Sequence, residues 1–327
     1  MYHYSVIQWL FFFYFYSFCG WCIESAYVSI RIKKLTNRGF MRGPFLPLYG
    51  SGALMMLVVS MPFQDNIVET YFAGCAGATV LEYITGVTME ALFKVRYWDY
   101  SDKKFNFQGH ICLGTTLSWG FLTILMTEIV HVPVERLMLA IPNRILVVVT
   151  IIVTVGIVSD FVLAFKTAID LRNVLVRMER AKEEMVRIQR RLDVIIALAN
   201  AEWENRREEW ENRKEEWSGE ITAKKDAFTE GMSVHIEDLK NGIESKLVSI
   251  KSMAQSKPTQ YWESVREEVA ELKTKYASNL ENRIRLSRIR DFFQREMIRS
   301  NPSMTSEKYK ESLEELQYSI SDKNKNS

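Results

Sequence analysis

The chain is 327 residues long, 47% hydrophobic and 25% charged, with 42 Lys and Arg against 40 Asp and Glu for a net charge of +2. Residues 1–165 hold only 11 of the basic and 10 of the acidic residues, leaving 31 and 30 for residues 166–327. An apolar half joined to a charge-dense half excludes a single soluble domain, and near-balanced charge gives no footing for nucleic acid.

About 20 apolar residues in a helix cross the ~30 Å hydrocarbon core of a bilayer. Stretches of that kind recur five times, at about residues 5–30, 44–61, 67–93, 111–130 and 145–165. The first lacks a basic leader and a small-x-small cleavage site and exceeds the apolar core of a signal peptide, so it reads as a retained span. Arg31, Lys33, Lys34, Arg38 and Arg42 follow the first span, and Lys94, Arg96, Lys103 and Lys104 follow the third. The turn after the second, around Gln64, Asp65 and Asn66, has no basic residue, the loop after the fourth has Arg136 and, at its very end, Arg144, and the region after the fifth is full of them. By the positive-inside rule the N-terminus lies outside and the C-terminus in the cytoplasm. The expected fold is all-α: a polytopic membrane bundle of five transmembrane helices, residues 1–165, followed by a long cytoplasmic helical region.

From Leu171 the pattern turns to heptads. Leu171, Val174, Met178, Ala181, Met185, Ile188, Leu192, Ile195 and Ala199 alternate steps of three and four, which predicts a juxtamembrane coiled-coil helix over 166–218. Trp203, Trp210 and Trp217 follow at steps of seven. Gly219 ends or loosens that helix. Further helices are expected over 219–300, one with a seam at Met232, Ile236, Leu239, Ile243, Ile250 and Met253. Pro258 breaks it, and a third helix begins near Trp262, Val265, Val269, Leu272 and Tyr276 and runs on toward Ile298. Asn301-Pro302 stops it, and 301–327 reads as a mostly polar, partly disordered tail. The pattern leaves open whether the tail pairs with a second copy or folds back on itself.

Charged groups within a span are costly and usually face protein or water, which singles out Glu24, Glu82, Glu90 and Asp160. Glu82, Gly86 and Glu90 share one helical face. Arg38, Arg42 and Arg96 are the natural counter-charges, and both basic loops are rich in Asn, Asp and aromatic residues. The candidate substrate-binding or gating residues are therefore Glu24, Asn37, Arg38, Glu82, Glu90, Arg96, Trp98 and Asp99. The same groups also fit a plain structural ion-pair network at the interface.

The same segments carry a resemblance. Glu24, Asn37-Arg38-Gly39, Gly43-Pro44, Pro47-x-Tyr49-Gly50, Glu82-x3-Gly86-x3-Glu90, Trp98-Asp99-Tyr100-Ser101, Gly109-x-Ile111-Cys112 and Ser118-Trp119-Gly120 resemble the ABC-transporter type IV, or CmpB-type permease, family of bacterial membrane proteins. The likeness covers about residues 5–165 and omits the helical tail. It implies a multi-span permease-like protein.

Other chemistry is unsupported. Cys19-Gly20-Trp21-Cys22 has redox spacing but lies within a span, and the four cysteines all sit in apolar stretches. No phosphate-binding loop, His-Glu-x-x-His pair or nucleophile elbow occurs in the sequence, so no cofactor or metal is expected, and any ATPase is a separate chain. The leading reading is a transporter subunit for a small or lipid-like substrate, working as a homodimer in the plasma membrane with a possible ATP-binding partner. A membrane-anchored coiled-coil scaffold is the alternative, and an intramembrane enzyme acting on lipid headgroups the third.

Overall fold

The computed structural model describes residues 4–205, 241–246, 248, 260–289 and 291–322. Among them the chain is helical almost throughout. The helices are α1 (Val6–Ile32), α2 (Pro47–Ser60), α3 (Ile67–Phe93), α4 (Leu113–Ile124), α5 (His131–Ala140), α6 (Asn143–Asn205), α7 (Gln260–Ser287), α8 (Phe292–Ser300) and α9 (Lys310–Asp322). Two short strands, β1 (Asn106–Phe107) and β2 (Ile111–Cys112), pair antiparallel with Asn106 opposite Cys112. The chain forms two compact units, one of Met1–Asn173 with Arg290–Lys310 and one of Val174–Ile289 with Glu311–Ser327.

In the first unit the helix starts are written locally. Ser5 caps α1 in a reciprocal box with Gln8, and Asn66 caps α3 by accepting from the amides of Val68 and Glu69. Pro47 opens α2, where a missing N–H costs nothing. Small residues let the helices approach closely. A Cβ at Gly20 would overlap Tyr49, one at Gly50 would overlap Ser17, and one at Gly74 would overlap Thr123. The core between them gathers Phe12 and Tyr16 of α1, Met56 and Leu57 of α2, Met126, Met138 of α5 and Leu146 of α6.

α4 and α5 form one continuous rod, Leu113–Ala140, interrupted by a π-helical turn at Leu125–Val130. Pro133 has no N–H to give the carbonyl four residues back and its ring crowds that carbonyl, so the preceding turn widens. This rod extends ten residues beyond the apolar run ending at Val130, through a stretch that includes Glu135 and Arg136.

Among the described residues, three helices are long and apolar enough to cross a membrane: Val6–Ile32, Leu113–Ala140 and Asn143–Ala197. Pro47–Phe63 is apolar but shorter. α3 has 27 residues, about 40 Å at 1.5 Å each, but carries Glu69, Glu82 and Glu90. Large apolar side chains stand exposed along these helices, among them Phe72 of α3, Phe121 of α4 and Ile152, Val155 and Val162 of α6. A belt of that size is unfavourable in water and suits hydrocarbon.

The second unit packs around the heptad seam. Met178, Ala181, Met185, Ile188, Leu192 and Ile195 of α6 are all buried. Val265 and Tyr276 of α7 and the described residue Ile243 complete one apolar cluster with the last four of that row beyond Ala181. The seam is thus covered within one chain. Arg283 of α7 is 1% exposed; it donates to the Met178 carbonyl at 2.8 Å and pairs with Glu315 of α9 at 2.7 Å. Burial pushes the Glu315 carboxyl up, and Arg283 opposes it. α7 stops at Ser287 instead of running on to Ile298; α8 restarts after Asp291, whose side chain accepts from the Gln294 amide. The tryptophan repeat at Trp210 and Trp217, Gly219, Met232, Ile236, Leu239, Ile250, Met253 and Pro258 lie outside the described residues, as do the side chains of Ala199, Trp203 and Trp262.

Candidate functional site

α3 sets Glu82, Gly86 and Glu90 on one face, and each meets a different set of partners. Glu82 is 6% exposed. Its Oε2 accepts from the Trp119 indole at 2.9 Å and its Oε1 from the Tyr100 hydroxyl at 3.1 Å. Thr115 is also within hydrogen-bonding reach. Among the described residues no Lys or Arg pairs with it, although Arg38, Arg42 and Arg96 are the counter-charges the sequence offers. Its partners are neutral donors. Burial and the Glu82 charge push the Tyr100 hydroxyl well above its ordinary range.

Two helical steps further, Glu90 Oε2 lies 2.9 Å from Arg96 Nε and 3.1 Å from His110 Nε2. Gly86 makes room for this arrangement, because a Cβ there would stand 2.9 Å from His110 Nδ1 and 3.3 Å from the Trp98 ring. The Trp98 indole in turn donates to the His110 carbonyl at 3.0 Å. Arg96 also reaches Asp99 at 3.7 Å and Glu307 at 3.2 Å. Burial lowers the Arg96 pKa, but Glu90, Asp99 and Glu307 outweigh it and the net direction is up. Gly109 sits at φ +72°, where a side chain is strained, and a Cβ would fall 2.8 Å from Arg96 Nη1 and 2.9 Å from Asp99.

Glu24, Asn37 and Arg38 meet other partners in the same unit. The Tyr49 hydroxyl donates to Glu24 at 2.8 Å. Asn37 accepts from the Trp21 indole at 2.5 Å and donates to the Arg42 carbonyl at 2.6 Å. Arg38 donates to the Ser300 carbonyl at 3.1 Å, to Asn301 Oδ1 at 2.6 Å and to Ser303 Oγ at 3.2 Å. Burial lowers its pKa, and Glu24 is the largest opposing influence. Among the described residues Arg42 does not pair with Glu24, Glu82 or Glu90; it bonds Thr167 at 2.7 Å and lies 3.5 Å over the Phe293 ring. Asp160 accepts the Gly43 amide at 2.7 Å, tying the loop after α1 to α6.

A strap from the far end of the chain completes the site. Thr305 bridges Arg96 as a short antiparallel pair with N···O distances of 2.8 and 3.0 Å. Its hydroxyl donates to Asp99 at 3.1 Å, and the Ser303 hydroxyl donates to the Tyr97 carbonyl at 3.2 Å. Ser306 donates to the Lys94 carbonyl at 2.7 Å, and Asn301 donates to the Gly39 carbonyl at 3.1 Å. The strap therefore touches both basic loops, which lie at one end of the unit. Phe40 of the first loop packs its ring 5.4 Å from Phe93 and 5.9 Å from Tyr97 of the second.

All eight candidate residues thus lie in this unit: Glu90, Arg96, Trp98 and Asp99 in one group, Glu82 on Tyr100 and Trp119, Glu24 on Tyr49, Asn37 between Trp21 and the Arg42 carbonyl, and Arg38 on the strap. Sequence reasoning missed Tyr49, Tyr100, His110, Thr115 and Trp119 as partners and missed the strap entirely. Tyr49, Tyr100 and Trp119 sit inside the quoted motifs, so their neighbourhood was flagged; nothing near Ser300 or Thr305 marks it. The arrangement offers a buried carboxylate with neutral donors, suited to a proton or to a ligand that presents a donor or a positive charge. Among the described residues no group of His, Cys, Asp and Glu is placed to hold a metal ion.

Comparison with curated proteins and with solved structures finds no match. Residues 11–165, which hold Glu24 and both basic loops, match the model of the family described as "Putative ABC-transporter type IV", the family the motifs resemble.

Proposed function

We propose that the protein is a permease-like subunit of a transporter, with five transmembrane helices, the N-terminus outside and the C-terminal region in the cytoplasm. In this reading α2 and α3 cross the bilayer with the three longer apolar helices. The short α2 is sheltered by α1 and α3, and Glu82 and Glu90 of α3 are turned into protein. The orientation draws support from the two basic loops, which share one end of the unit. The turn without basic residues follows α2.

The observation that carries the reading is Glu82. A scaffold's anchor needs one span and no buried carboxylate, whereas here a carboxylate lies inside the bundle and is held by an indole and a phenol. In the proposed site Glu82 and Glu90 face the substrate, a small or lipid-like molecule presenting donors or positive charge. Arg38 and Arg96 balance the carboxylates Glu24 and Glu90, and Asn37 positions the first loop. Trp98 and Asp99 form the gate at the cytoplasmic end, where the strap rests. The energy source would be a separate ATP-binding chain, and two copies would frame the pathway, since five spans are few for one.

The test is Glu82→Gln in the complex purified in native lipid. The amide keeps the shape and removes the charge, so expression and assembly should persist while coupled ATP turnover falls about tenfold or more, about 1.4 kcal/mol of barrier. Unchanged turnover would remove Glu82 from the site.

A further inference from the structure

A second buried ionisable cluster lies away from the two loops. His131 opens α5, 18 residues past the start of α4, about 27 Å along the rod at 1.5 Å per residue. It is 1% exposed, and both ring nitrogens are engaged: Nε2 lies 3.0 Å from the Tyr4 hydroxyl and Nδ1 lies 2.8 Å from the Tyr16 hydroxyl. Tyr4 in turn donates its proton to Glu135.

These contacts decide the proton positions. Because Tyr4 gives its hydrogen to Glu135, its oxygen can only accept from the ring, so Nε2 carries the hydrogen. A neutral imidazole has one donor and one acceptor nitrogen, so Nδ1 accepts from Tyr16. Now add a proton at Nδ1. The ring becomes imidazolium, Nε2–H still points at Tyr4, and Tyr4 still points at Glu135, whose carboxylate supplies the counter-charge through the phenol. Only the Tyr16 bond reverses, its oxygen accepting where its hydroxyl had donated. Three of the four groups already stand as the protonated form requires. The other close ring is Phe12, 4.8 Å away and uncharged.

The interior side of the cluster is polar along one row of the rod. Thr115, Trp119, Thr123, Thr127 and His131 recur every four residues, the first two beside Glu82. Steps of four overshoot a 3.6-residue helix by about 40° each, and the wider π turn at Leu125–Val130 takes part of that drift back. Thr123 and Thr127 are both buried.

We propose that His131, with Tyr4, Tyr16 and Glu135, is a proton-binding site within the helix bundle, one that takes up and releases a proton while the bundle stays folded. It stands on its own geometry and does not depend on what Glu82 binds.

The test is nitrogen NMR of the full chain in lipid, labelled at histidine, with His131→Gln used to assign the ring among the four histidines. At pH 8 the expected form is neutral with hydrogen on Nε2, converting reversibly to imidazolium as the pH is lowered. Glu135→Gln should move the midpoint about one unit toward acid, by loss of an opposite charge. Tyr4→Phe, which keeps the ring but breaks the line, should reproduce that shift. A ring that stays neutral to pH 5 would overturn the proposal, as would a midpoint unmoved by Tyr4→Phe. Either result would make His131 a core residue whose hydrogen bonds serve packing.

Discussion

Arg96 shares one guanidinium among Glu90, Asp99 and Glu307, and the consequences fall on Asp99. Burial alone raises the Asp99 pKa, but hydrogen bonds from Ser101 and Thr305 and the charge of Arg96 outweigh it, and the carboxyl is held below its ordinary value of 3.8. A carboxyl depressed by folding contributes stability that is fully present above its unfolded pKa and is lost as pH falls through its folded one. The contact between Asp99 and Thr305 should therefore be insensitive to pH from neutrality to about pH 5 and weaken only below about pH 4. Amide exchange in residues 96–101, followed against pH after correction for intrinsic rates, checks this; loosening already at pH 6 would contradict it. At this scale the sequence was informative about which residues carry charge and less so about their partners. Glu90 meets Arg96 as composition suggests, whereas Glu82 takes an indole and a phenol, because donor geometry depends on how α3 and α4 cross.

Elements repeat that contrast. The seam was legible because burial on one helical face imposes its period on the sequence; in the structure Met178, Ala181, Met185, Ile188, Leu192 and Ile195 are buried, while one turn earlier Leu175 is buried where the heptad places Val174. Its cover, α7, was legible as a helix but not as the partner, since nothing local records which apolar stripes meet. The hairpin at Asn106–Cys112 is too short to leave an alternating pattern. The strap over 301–307 was read as polar tail for a similar reason: its contacts are with residues about 200 to 260 positions away, and polar residues that bond distant backbone look like any loop. Arg38 holds Asn301 and Ser303 of the strap and the Ser300 carbonyl just before it, so Arg38→Ala should free the strap. Hydrogen bonds to a charged group contribute roughly 1.5–3 kcal/mol each and are not additive. Exchange in 298–306 should accelerate about tenfold or more while α1 and α3 keep their protection. Unaltered exchange would show that Arg96 and the Asn301–Gly39 bond hold the strap without Arg38.

For the whole molecule, the split into an apolar and a charge-dense half was visible in composition, because a bilayer and water demand opposite surfaces. The first unit nevertheless borrows Arg290–Lys310 from the charged half, something composition has no means of signalling. The proposed orientation has a direct check at two exposed sites, Leu35 after α1 and Gln64 after α2. With the four native cysteines replaced, an impermeant thiol reagent on intact cells should label Gln64→Cys and reach Leu35→Cys only after lysis; the reverse pattern would invert the topology. The central claim is that this chain is the membrane subunit of a transporter. It is tested most directly by purifying the protein from its native membrane in mild detergent and identifying, by quantitative mass spectrometry, what accompanies it in fixed ratio. The account predicts a stoichiometric ATP-binding chain whose ATP turnover depends on this protein. Recovery of the chain only as a self-oligomer, or with envelope proteins held through the helical tail, would contradict the transporter reading and favour a scaffold.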